Sequence, residues 1–516
     1  MTRLIGCRSI VLLCLSIPSF MTNLDSNIVA VSLPYIARSL RADFVGMEWV
    51  VSAYSLMFAS FVLPAGAIAD RYGRKRLLLI GLVTFTGASL VCGGAPSLPV
   101  LIAARAIQGV GAAMQLSAAL ATLSHTFQGA ARARAFAAWG SVIGIAISLG
   151  PVIGGVVTQT MGWRMAFYLN VPIGIVLFVL TTGAIGESKD PGAGNIDVLG
   201  VLTFSSSLLM VTLALIGGNR MGWKSPQIIL ELIAACALFC GFVVIELRQQ
   251  RPMLELRFFR HPTYIGANLA NVAFAASSLT MLTYLPIFLQ AGLGLTAQQA
   301  GLRMLPMAIP LFVVPRLCAR MLAHRLSGRS MIAIGLGLVS IGTLWMAWEV
   351  TRFDYLRLIA GMLVTGVGAG VLNGEIAKVG MSVIPAERAG MAAGLSGTTK
   401  FSGIVVGFAA LGAILSESIE RSLSPHLAND AAIHHAQIVR SVAAGGFSDA
   451  VSTATNHVAL HIAMLQSFAT GYQVMMFAAG AFAAISALTC WCLVRDVRTI
   501  ASSPSAGVAT PKPARF

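Results

Sequence analysis

Long apolar runs alternate along this chain with short segments that contain Gly, Pro or charged residues. A helix needs about 20 mostly apolar residues to cross the hydrocarbon core of a bilayer. Runs of that length, each bounded by residues that end helices or resist entry into lipid, predict fourteen membrane-spanning helices. Their predicted positions are 9–35, 46–68, 76–93, 98–123, 135–158, 168–187, 196–217, 227–246, 263–290, 298–319, 330–348, 356–383, 388–415 and 466–494. The pattern therefore predicts an all-α polytopic membrane protein.

Composition favours the same class of protein. Of the 516 residues, 57% are hydrophobic and 10% are charged, and the mean hydropathy is +0.82. A soluble protein of this size lacks the interior to bury so much apolar surface, so lipid must cover the remainder. The net charge of +16 is scattered over short segments between the runs, which indicates membrane topology and not nucleic-acid binding. The eight cysteines lie in or beside apolar runs and predict neither disulfides nor a metal site.

The distribution of basic residues predicts which side of the membrane each segment faces. Most Lys and Arg residues fall in segments that are cytoplasmic if the N-terminus is cytoplasmic, as the positive-inside rule requires. Both termini are therefore predicted to be cytoplasmic, in a multi-pass protein of the inner (plasma) membrane. The first apolar run is not followed by a signal-peptide cleavage pattern, and we interpret it as a retained helix.

A charged hinge at 66–76 has a degraded copy at 323–329, and this repeat divides the chain into two related halves. Spans one to six would recur as spans nine to fourteen, with spans seven and eight inserted between them. Many secondary transporters are built from such repeats around a central site. The predicted divisions are a first six-helix bundle at 1–190, two inserted helices at 191–250, a second six-helix bundle at 251–498 with an outward loop at 416–465, and a disordered cytoplasmic tail at 499–516.

The hinge concentrates charge in a chain that has little of it. It combines an acid, Asp70, with four cations, and its glycines permit a tight turn. Asp70 could accept hydrogen bonds from the backbone at the start of the next helix, where the helix dipole favours an anion. A plain basic loop that fixes topology is the alternative interpretation. The hinge residues that we single out are Gly66, Asp70, Arg71, Gly73 and Arg74.

Two charged residues lie inside predicted spans of the first half. Asp25 is in the first span, where an acid is costly unless it is paired, protonated or faces a water-filled cavity. Such an acid could load and release a proton as its surroundings alternate between wet and dry. Arg105 in the fourth span needs an acceptor, and Gln108 lies one turn further along the same helix face. A purely structural role in helix packing is the alternative for both charges.

The fifth span carries a pattern of glycine and proline at Gly150, Pro151, Gly154 and Gly155. Proline removes a backbone donor and bends a helix, and glycines allow a neighbouring helix to approach closely. We expect a helix whose glycine face seals against a partner. A simple kink is the alternative.

Taken in order, these stretches resemble signature sequences of the major facilitator superfamily, in particular its branch of fourteen-span drug–proton antiporters. The hinge resembles the signature of the loop between spans two and three. Segment 105–113 resembles the proton-coupling motif of span four, and segment 150–155 resembles the antiporter motif of span five. Segments 24–34 and 163–174 resemble signatures of the branch in the first span and in the loop between spans five and six. The resemblance covers nearly the whole chain.

The resemblance implies a major facilitator fold, in which two six-helix bundles and two inserted helices work by alternating access. It implies that Asp25 and Arg105 belong to proton coupling and that the hinge belongs to a cytoplasmic gate. Asp25 would take up a proton from outside as substrate leaves outward. Loss of that proton inside would restore the loading state.

Further polar residues at membrane depth complete the set of candidates. Glu375 in the twelfth span is a second proton-coupling candidate. Lys378 lies three residues later on the same helix face, so internal neutralisation of Glu375 is the alternative. The candidates for lining a substrate cavity are Asn23, Asn27, Tyr54, Gln108, Asn268, Tyr284 and Asn373.

The predicted function is export of small amphiphilic molecules, such as drugs, antibiotics or secondary metabolites, in exchange for protons. An importer of a small metabolite and a non-transporting membrane sensor on the same fold are the alternatives. The sequence contains no nucleophile constellation, phosphate-binding loop or cofactor motif, so we predict no enzymatic activity, cofactor or metal, with the proton gradient as energy source. The expected partners are the substrate, protons and the lipid bilayer. A monomer is expected, and association with a periplasmic adaptor stays open.

Overall fold

The structure, a computed structural model, describes residues 8–189, 197–249, 256–321, 325–384, 389–427, 438–439, 441–447 and 457–495. The regular structure in this part of the chain is helical. Fourteen of its helical spans are long and apolar enough to cross a membrane, which confirms the number predicted from the sequence.

Seven helices form the first six spans, because one span is interrupted at Leu169. They are α1 (Arg8–Leu40), α2 (Phe44–Tyr72), α3 (Arg74–Gly93), α4 (Leu98–Thr126), α5 (Gly129–Met161), α6 (Trp163–Tyr168) and α7 (Asn170–Ala184). Helix α4 is the centre of this half, since α1, α2 and α3 all pack against it. Helix α5 packs along α1, and α7 packs on α3.

The last six spans contain eight helices. They are α10 (Pro262–Phe274), α11 (Thr280–Ala291), α12 (Ala297–Arg303), α13 (Leu305–Met321), α14 (Gly328–Glu349), α15 (Tyr355–Met381), α16 (Ala389–Leu423) and α17 (His457–Leu493). A wide π turn, Ala275–Leu279, joins α10 and α11 into one span, and α12 and α13 form another. The inserted helices α8 (Val198–Met221) and α9 (Pro226–Arg248) pack on each other, and α8 also contacts α2 and α16.

The predicted spans agree with the observed helices except at several ends. Helix α16 continues to Leu423, past the predicted end at 415, and α17 begins at His457, before the predicted start at 466. The extension of α16 carries an ion pair of 2.8 Å between Glu417 and Arg421, four residues apart, which supports a helix beyond the apolar run. The predicted loop 416–465 is therefore shorter at both ends. The predicted tail at 499–516 lies outside the described residues.

The main contacts between the two halves join α2 to α16, α5 to α12 and α13, and α1 to α11. Neighbouring spans run in opposite directions, so α1 begins on the side where α17 ends, which we call the termini side. The opposite side, where α1 is joined to α2, is the far side. Near the far side, Gln290 of α11 donates a hydrogen bond of 2.9 Å to the Val31 carbonyl of α1.

Helices α3 and α4 approach each other through opposing glycines. A Cβ atom on Gly111 would lie 2.6 Å from the backbone nitrogen of Phe85, and one on Gly81 would lie 3.0 Å from that of Gln115. Backbones can pack at this distance only where side chains are missing, and close packing drives helix association in lipid. The contact fixes α3 against α4 and so sets the position of the polar side chains that both helices direct into the first half.

We expect Gly111→Val to destabilise the protein by about 1–3 kcal/mol, because the added methyl groups would overlap the backbone of α3. Gly87→Val is the matched control, since the space around a Cβ at Gly87 is open. The measurement is the thermal unfolding midpoint of each purified variant in detergent. Equal midpoints for the two variants would contradict the proposed α3–α4 contact.

Candidate functional site

Asp25 lies in the middle of α1 and is fully buried, at 0% exposure. Its Oδ2 atom accepts a charge-assisted hydrogen bond of 2.5 Å from the Arg105 guanidinium of α4. Its Oδ1 atom accepts bonds of 2.9 Å from the Gln108 amide and 2.8 Å from the Asn170 amide of α7. The carboxylate is therefore held by three side chains from two other helices. Such bonding favours the ionised form of a buried acid.

Arg105 is buried as completely as its partner, at 1% exposure. Besides Asp25, it donates to the Gln108 side-chain oxygen at 2.7 Å and to the Val50 carbonyl of α2 at 3.2 Å. The guanidinium also lies 4.2 Å from the centre of the Tyr54 ring, a cation–π contact. The Tyr54 hydroxyl in turn donates to the Thr22 carbonyl of α1 at 3.3 Å.

Together these residues form a charge-neutral network at the meeting point of five helices. Gln108 reaches the fifth of them by donating 2.8 Å to Ser89 of α3. Removing one partner of a buried ion pair typically costs about 3–5 kcal/mol, because the other charge is left without compensation. The network thus couples the charge on Asp25 to the relative positions of α1, α2, α3, α4 and α7. Asp25 and Arg105, which the sequence pairs only by resemblance, are in direct contact in the structure.

The hinge forms a sharp junction between α2 and α3 at Gly73, whose φ of +125° favours glycine. Asp70 accepts bonds of 3.0 and 2.8 Å from the guanidinium of Arg74, one turn later. Arg71 stacks over the ring of Tyr72 at 5.5 Å. Gly66 lies in the last turns of α2, where a Cβ atom would meet open space.

The anion at the start of α3 is Glu187 and not Asp70, which corrects the expectation from the sequence. Glu187 accepts backbone hydrogen bonds of 3.1 Å from Lys75 and 3.2 Å from Arg76. The Lys75 ammonium donates to the Thr182 carbonyl at 2.7 Å. Asp70 instead pairs with the Arg74 side chain through its Oδ1 atom, and the Arg74 backbone amide donates to the Ser188 carbonyl at 3.0 Å. These contacts tie the hinge to the end of α7 within the same half.

The glycine pattern of α5 packs against two different helices. Gly150 and Gly154 face α1, where Cβ atoms would overlap the Asn27 side chain and approach the Ile28 backbone. Gly155 faces α12 of the other half, where a Cβ would overlap the Ala297 carbonyl. Gly301 of α12 lies in the same way against the carbonyl of Pro151. The pattern therefore seals the two halves together toward the far side.

Glu375 is paired within its own helix, the alternative that the sequence analysis left open. Its carboxylate lies 3.3 Å from the Lys378 ammonium, and its side chain is 7% exposed against 61% for Lys378. Glu375 belongs to α15 in the second half and is not a member of the Asp25 network.

The predicted cavity residues divide into two groups. Gln108, Tyr54 and Tyr284 are fully buried among protein side chains in this conformation, so they do not face a cavity here. The half-buried members are Asn23, Asn27, Asn268 and Asn373. Asn268 and Asn271 line a small cleft between α10, α15 and α16 that opens near the termini side.

Three residues at these sites were missed in the sequence. Asn170 and Ser89 complete the Asp25 network, and Asn170 stands in the segment that was matched only by resemblance. Asn170 could have been noticed because it is an amide residue at the start of an otherwise apolar helix. Glu48 is a buried acid in α2, at 3% exposure. It fell inside the predicted span 46–68, so its position alone was enough to identify it. Among the described residues, no cluster of His, Cys, Asp and Glu could hold a metal ion.

Comparison with known proteins agrees with this architecture. The family model of the Major Facilitator Superfamily matches residues 15–408. The multidrug resistance protein Stp of Mycobacterium tuberculosis (strain ATCC 25618 / H37Rv) is 37% identical over 411 residues, which are 79% of this chain and 76% of that protein. The probable actinorhodin transporter of Streptomyces coelicolor is 30% identical over 76% of this chain and 69% of its own length. The methylenomycin A resistance protein of Bacillus subtilis is 30% identical, covering 78% and 87%.

Solved structures share the fold at much lower identity. A bacterial homolog of the human lysosomal transporter Spinster, in an inward-facing and occupied conformation, superposes with a TM-score of 0.63 at 15% identity, covering 95% of this chain and 97% of that one. A mutant of the peptide transporter POT gives a TM-score of 0.62 at 15% identity, with 93% of each chain covered. From the family match, the relatives and the fourteen spans, this chain belongs to the major facilitator superfamily.

Proposed function

We propose that the protein is an antiporter that exports small amphiphilic molecules, such as drugs, antibiotics or secondary metabolites, in exchange for protons. Relatives at 30–37% identity are named as multidrug or antibiotic resistance proteins, an export protein and a drug efflux pump, which supports export of such molecules. The observation that carries proton coupling is the buried Asp25–Arg105 pair, a titratable carboxylate on which the positions of five helices depend.

Protonation of Asp25 would remove the negative charge that Arg105 faces. The guanidinium would keep its bonds to the Val50 carbonyl and to Gln108, so it stays with α2 and α4. Helix α1 would lose its strongest tie to α4, because a neutral carboxyl binds a guanidinium less strongly than a carboxylate does. The proton thereby changes how firmly α1 is held within the first half.

Movement of α1 reaches the second half through the contacts that it shares with α5 and α11. The Asn27 and Ile28 positions of α1 pack on the glycines of α5, and Gly155 of α5 packs on α12. A shift of α1 would therefore alter the packing between the halves, so that a proton taken up from outside returns the protein from its far-side-open state to the loading state. With the termini side cytoplasmic, as the basic residues favour, substrate would enter from the cytoplasm and leave on the far side.

No cofactor enters this cycle, and the proton gradient supplies the energy. The partners are substrate, protons and lipid, in a monomer of the inner membrane with both termini cytoplasmic. Import of a metabolite is the competing function, and the direction of substrate movement in inverted vesicles separates the two. Glu375 would take no part in proton coupling while it is paired with Lys378.

We expect Asp25→Asn to abolish proton movement coupled to substrate, because an amide cannot exchange a proton with water in this range of pH. The measurement is substrate-dependent proton flux in proteoliposomes, with a toxic compound to which cells expressing the protein are resistant. Asp354→Asn is the matched control, since Asp354 caps α15 at a partly exposed position and Asn caps equally well. Flux in Asp25→Asn equal to that of the control would exclude Asp25 from coupling.

A double variant separates coupling from folding. Arg105→Gln alone should lower stability by about 3–5 kcal/mol, because it leaves Asp25 buried without a counter-charge. Asp25→Asn combined with Arg105→Gln should recover most of that loss, since two neutral amides can hydrogen-bond in the same place. Thermal midpoints in detergent report stability, and the double variant should still lack coupled proton flux. If the double variant is no more stable than Arg105→Gln, the loss of stability does not come from the unpaired charge of Asp25.

A further inference from the structure

Glu48 occupies the contact between the two halves, one turn from the far-side start of α2. Its side chain is buried against α16, and a Cβ atom built on Gly412 would overlap the Glu48 Oε1 atom. The same Cβ would lie 2.7 Å from the hydroxyl of Tyr284 in α11. The carboxyl group is therefore enclosed by helices of the second half although it belongs to the first.

The Oε1 atom of Glu48 is buried and has no hydrogen-bond partner among the described residues. The polar groups around it are engaged elsewhere. The Tyr284 hydroxyl donates to the Phe408 carbonyl at 2.6 Å. In α2 itself, Asp43 caps the helix by accepting from the Gly46 amide at 2.8 Å.

The charges on the neighbouring helices do not compensate Glu48. Glu417 of α16 is bound to Arg421, Tyr472 of α17 donates to the Tyr284 carbonyl at 3.2 Å, and Asp43 carries the same sign as Glu48. Within the described residues, no cation lies in ion-pair distance of Glu48. An ionised carboxylate buried without a partner is far less stable than a neutral carboxyl group. The conformation with a closed far side therefore favours a protonated, neutral Glu48.

We propose that Glu48 is a second proton-binding site, which closes the far side when it is protonated and holds it open when it is ionised. The proposal rests on the transport cycle proposed above, in which the far side opens to the outside. Opening separates α2 from α16 and exposes Glu48 to water, where the carboxylate is solvated and stable. An acidic outer solution would then favour closure.

Glu48 differs from Asp25 in the solution with which it exchanges its proton. It lies at the far-side seal, so it takes its proton from the outer solution and returns it to the same solution. It therefore sets how long the far side stays open and adds no proton to the transport stoichiometry. Gly412 belongs to this site, because a Cβ atom there would overlap the Glu48 Oε1 atom and force the carboxyl group to move.

The experiment measures far-side opening directly, without substrate. Spin labels are attached to cysteines introduced by Ser97→Cys, between α3 and α4, and by Thr351→Cys, at the far-side end of α14. Both positions are exposed, and the native cysteines are replaced first. Pulsed electron paramagnetic resonance gives the distance between the labels in reconstituted protein from about pH 5 to about pH 8. We expect the short-distance population to grow as the pH falls, and Glu48→Gln to keep that population at every pH.

Two further variants make the result decisive. Glu417→Gln, a partly exposed acid on the α16 side of the contact, should keep the pH response of the parent, and its loss there would overturn the assignment to Glu48. Gly412→Ala should increase the long-distance population relative to the parent, because the added methyl group displaces the Glu48 carboxyl group, and an unchanged distribution would overturn the fit between the two residues. Glu48→Gln with the parental pH response would overturn the proposal itself.

The Asp25→Asn variant distinguishes this proposal from the proposed function. It should lose coupled proton flux yet keep the pH-dependent change in distance, because Glu48 is intact. If coupled flux survives in Asp25→Asn while Glu48→Gln loses the pH response, the coupling account fails and the Glu48 proposal stands. If Asp25→Asn also removes the pH response, the response belongs to Asp25 and the Glu48 proposal fails.

Discussion

The structure depends on the requirement that a charge buried at membrane depth must be compensated within the protein. Asp25 and Arg105 meet this requirement with each other, and the remaining donors of the guanidinium are taken up by Gln108 and the Val50 carbonyl. Because these groups come from different helices, the need to satisfy two charges fixes how α1, α2 and α4 cross. In lipid, where apolar faces gain little by meeting each other, such polar contacts and close packing determine helix association.

Close packing in this protein comes from glycines that bring backbones together at chosen places. Gly111 and Gly81 hold α3 to α4, which carries Gln108 to the carboxylate of Asp25. Gly155 and Gly301 bring α5 and α12 together between the halves. The first contact is internal to one half and the second must break if the halves separate. The same residue type thus builds both the rigid body and the surface along which it moves.

The number and order of the spans could be predicted from the sequence because lipid imposes length and apolarity on every helix that crosses it. The partners of Asp25 could be predicted only in part. Arg105 and Gln108 share a face of one helix, which spacing reveals, whereas Asn170 reaches the carboxylate through a tertiary contact that no spacing in the sequence encodes. The end of α16 was misplaced because a charged, helix-favouring segment continues the helix beyond the apolar run, and the start of α17 was misplaced because the helix begins earlier, in the mostly apolar segment 457–465. Asp70 and Glu187 compete for one position at α3, and only the fold shows which acid occupies it.

Asp25 and Glu48 show how one physical rule gives two buried acids opposite states. Asp25 has a guanidinium and two amides around it, so the conformation described here stabilises its charge. Glu48 has an unpartnered oxygen against the glycine of another helix, so the same conformation disfavours its charge. A proton placed on Asp25 weakens contacts within one half, and a proton lost from Glu48 weakens the contact between the halves. The two acids therefore act on different contacts: a proton taken up by Asp25 changes how α1 is held within the first half, and a proton taken up by Glu48 favours closure between the halves.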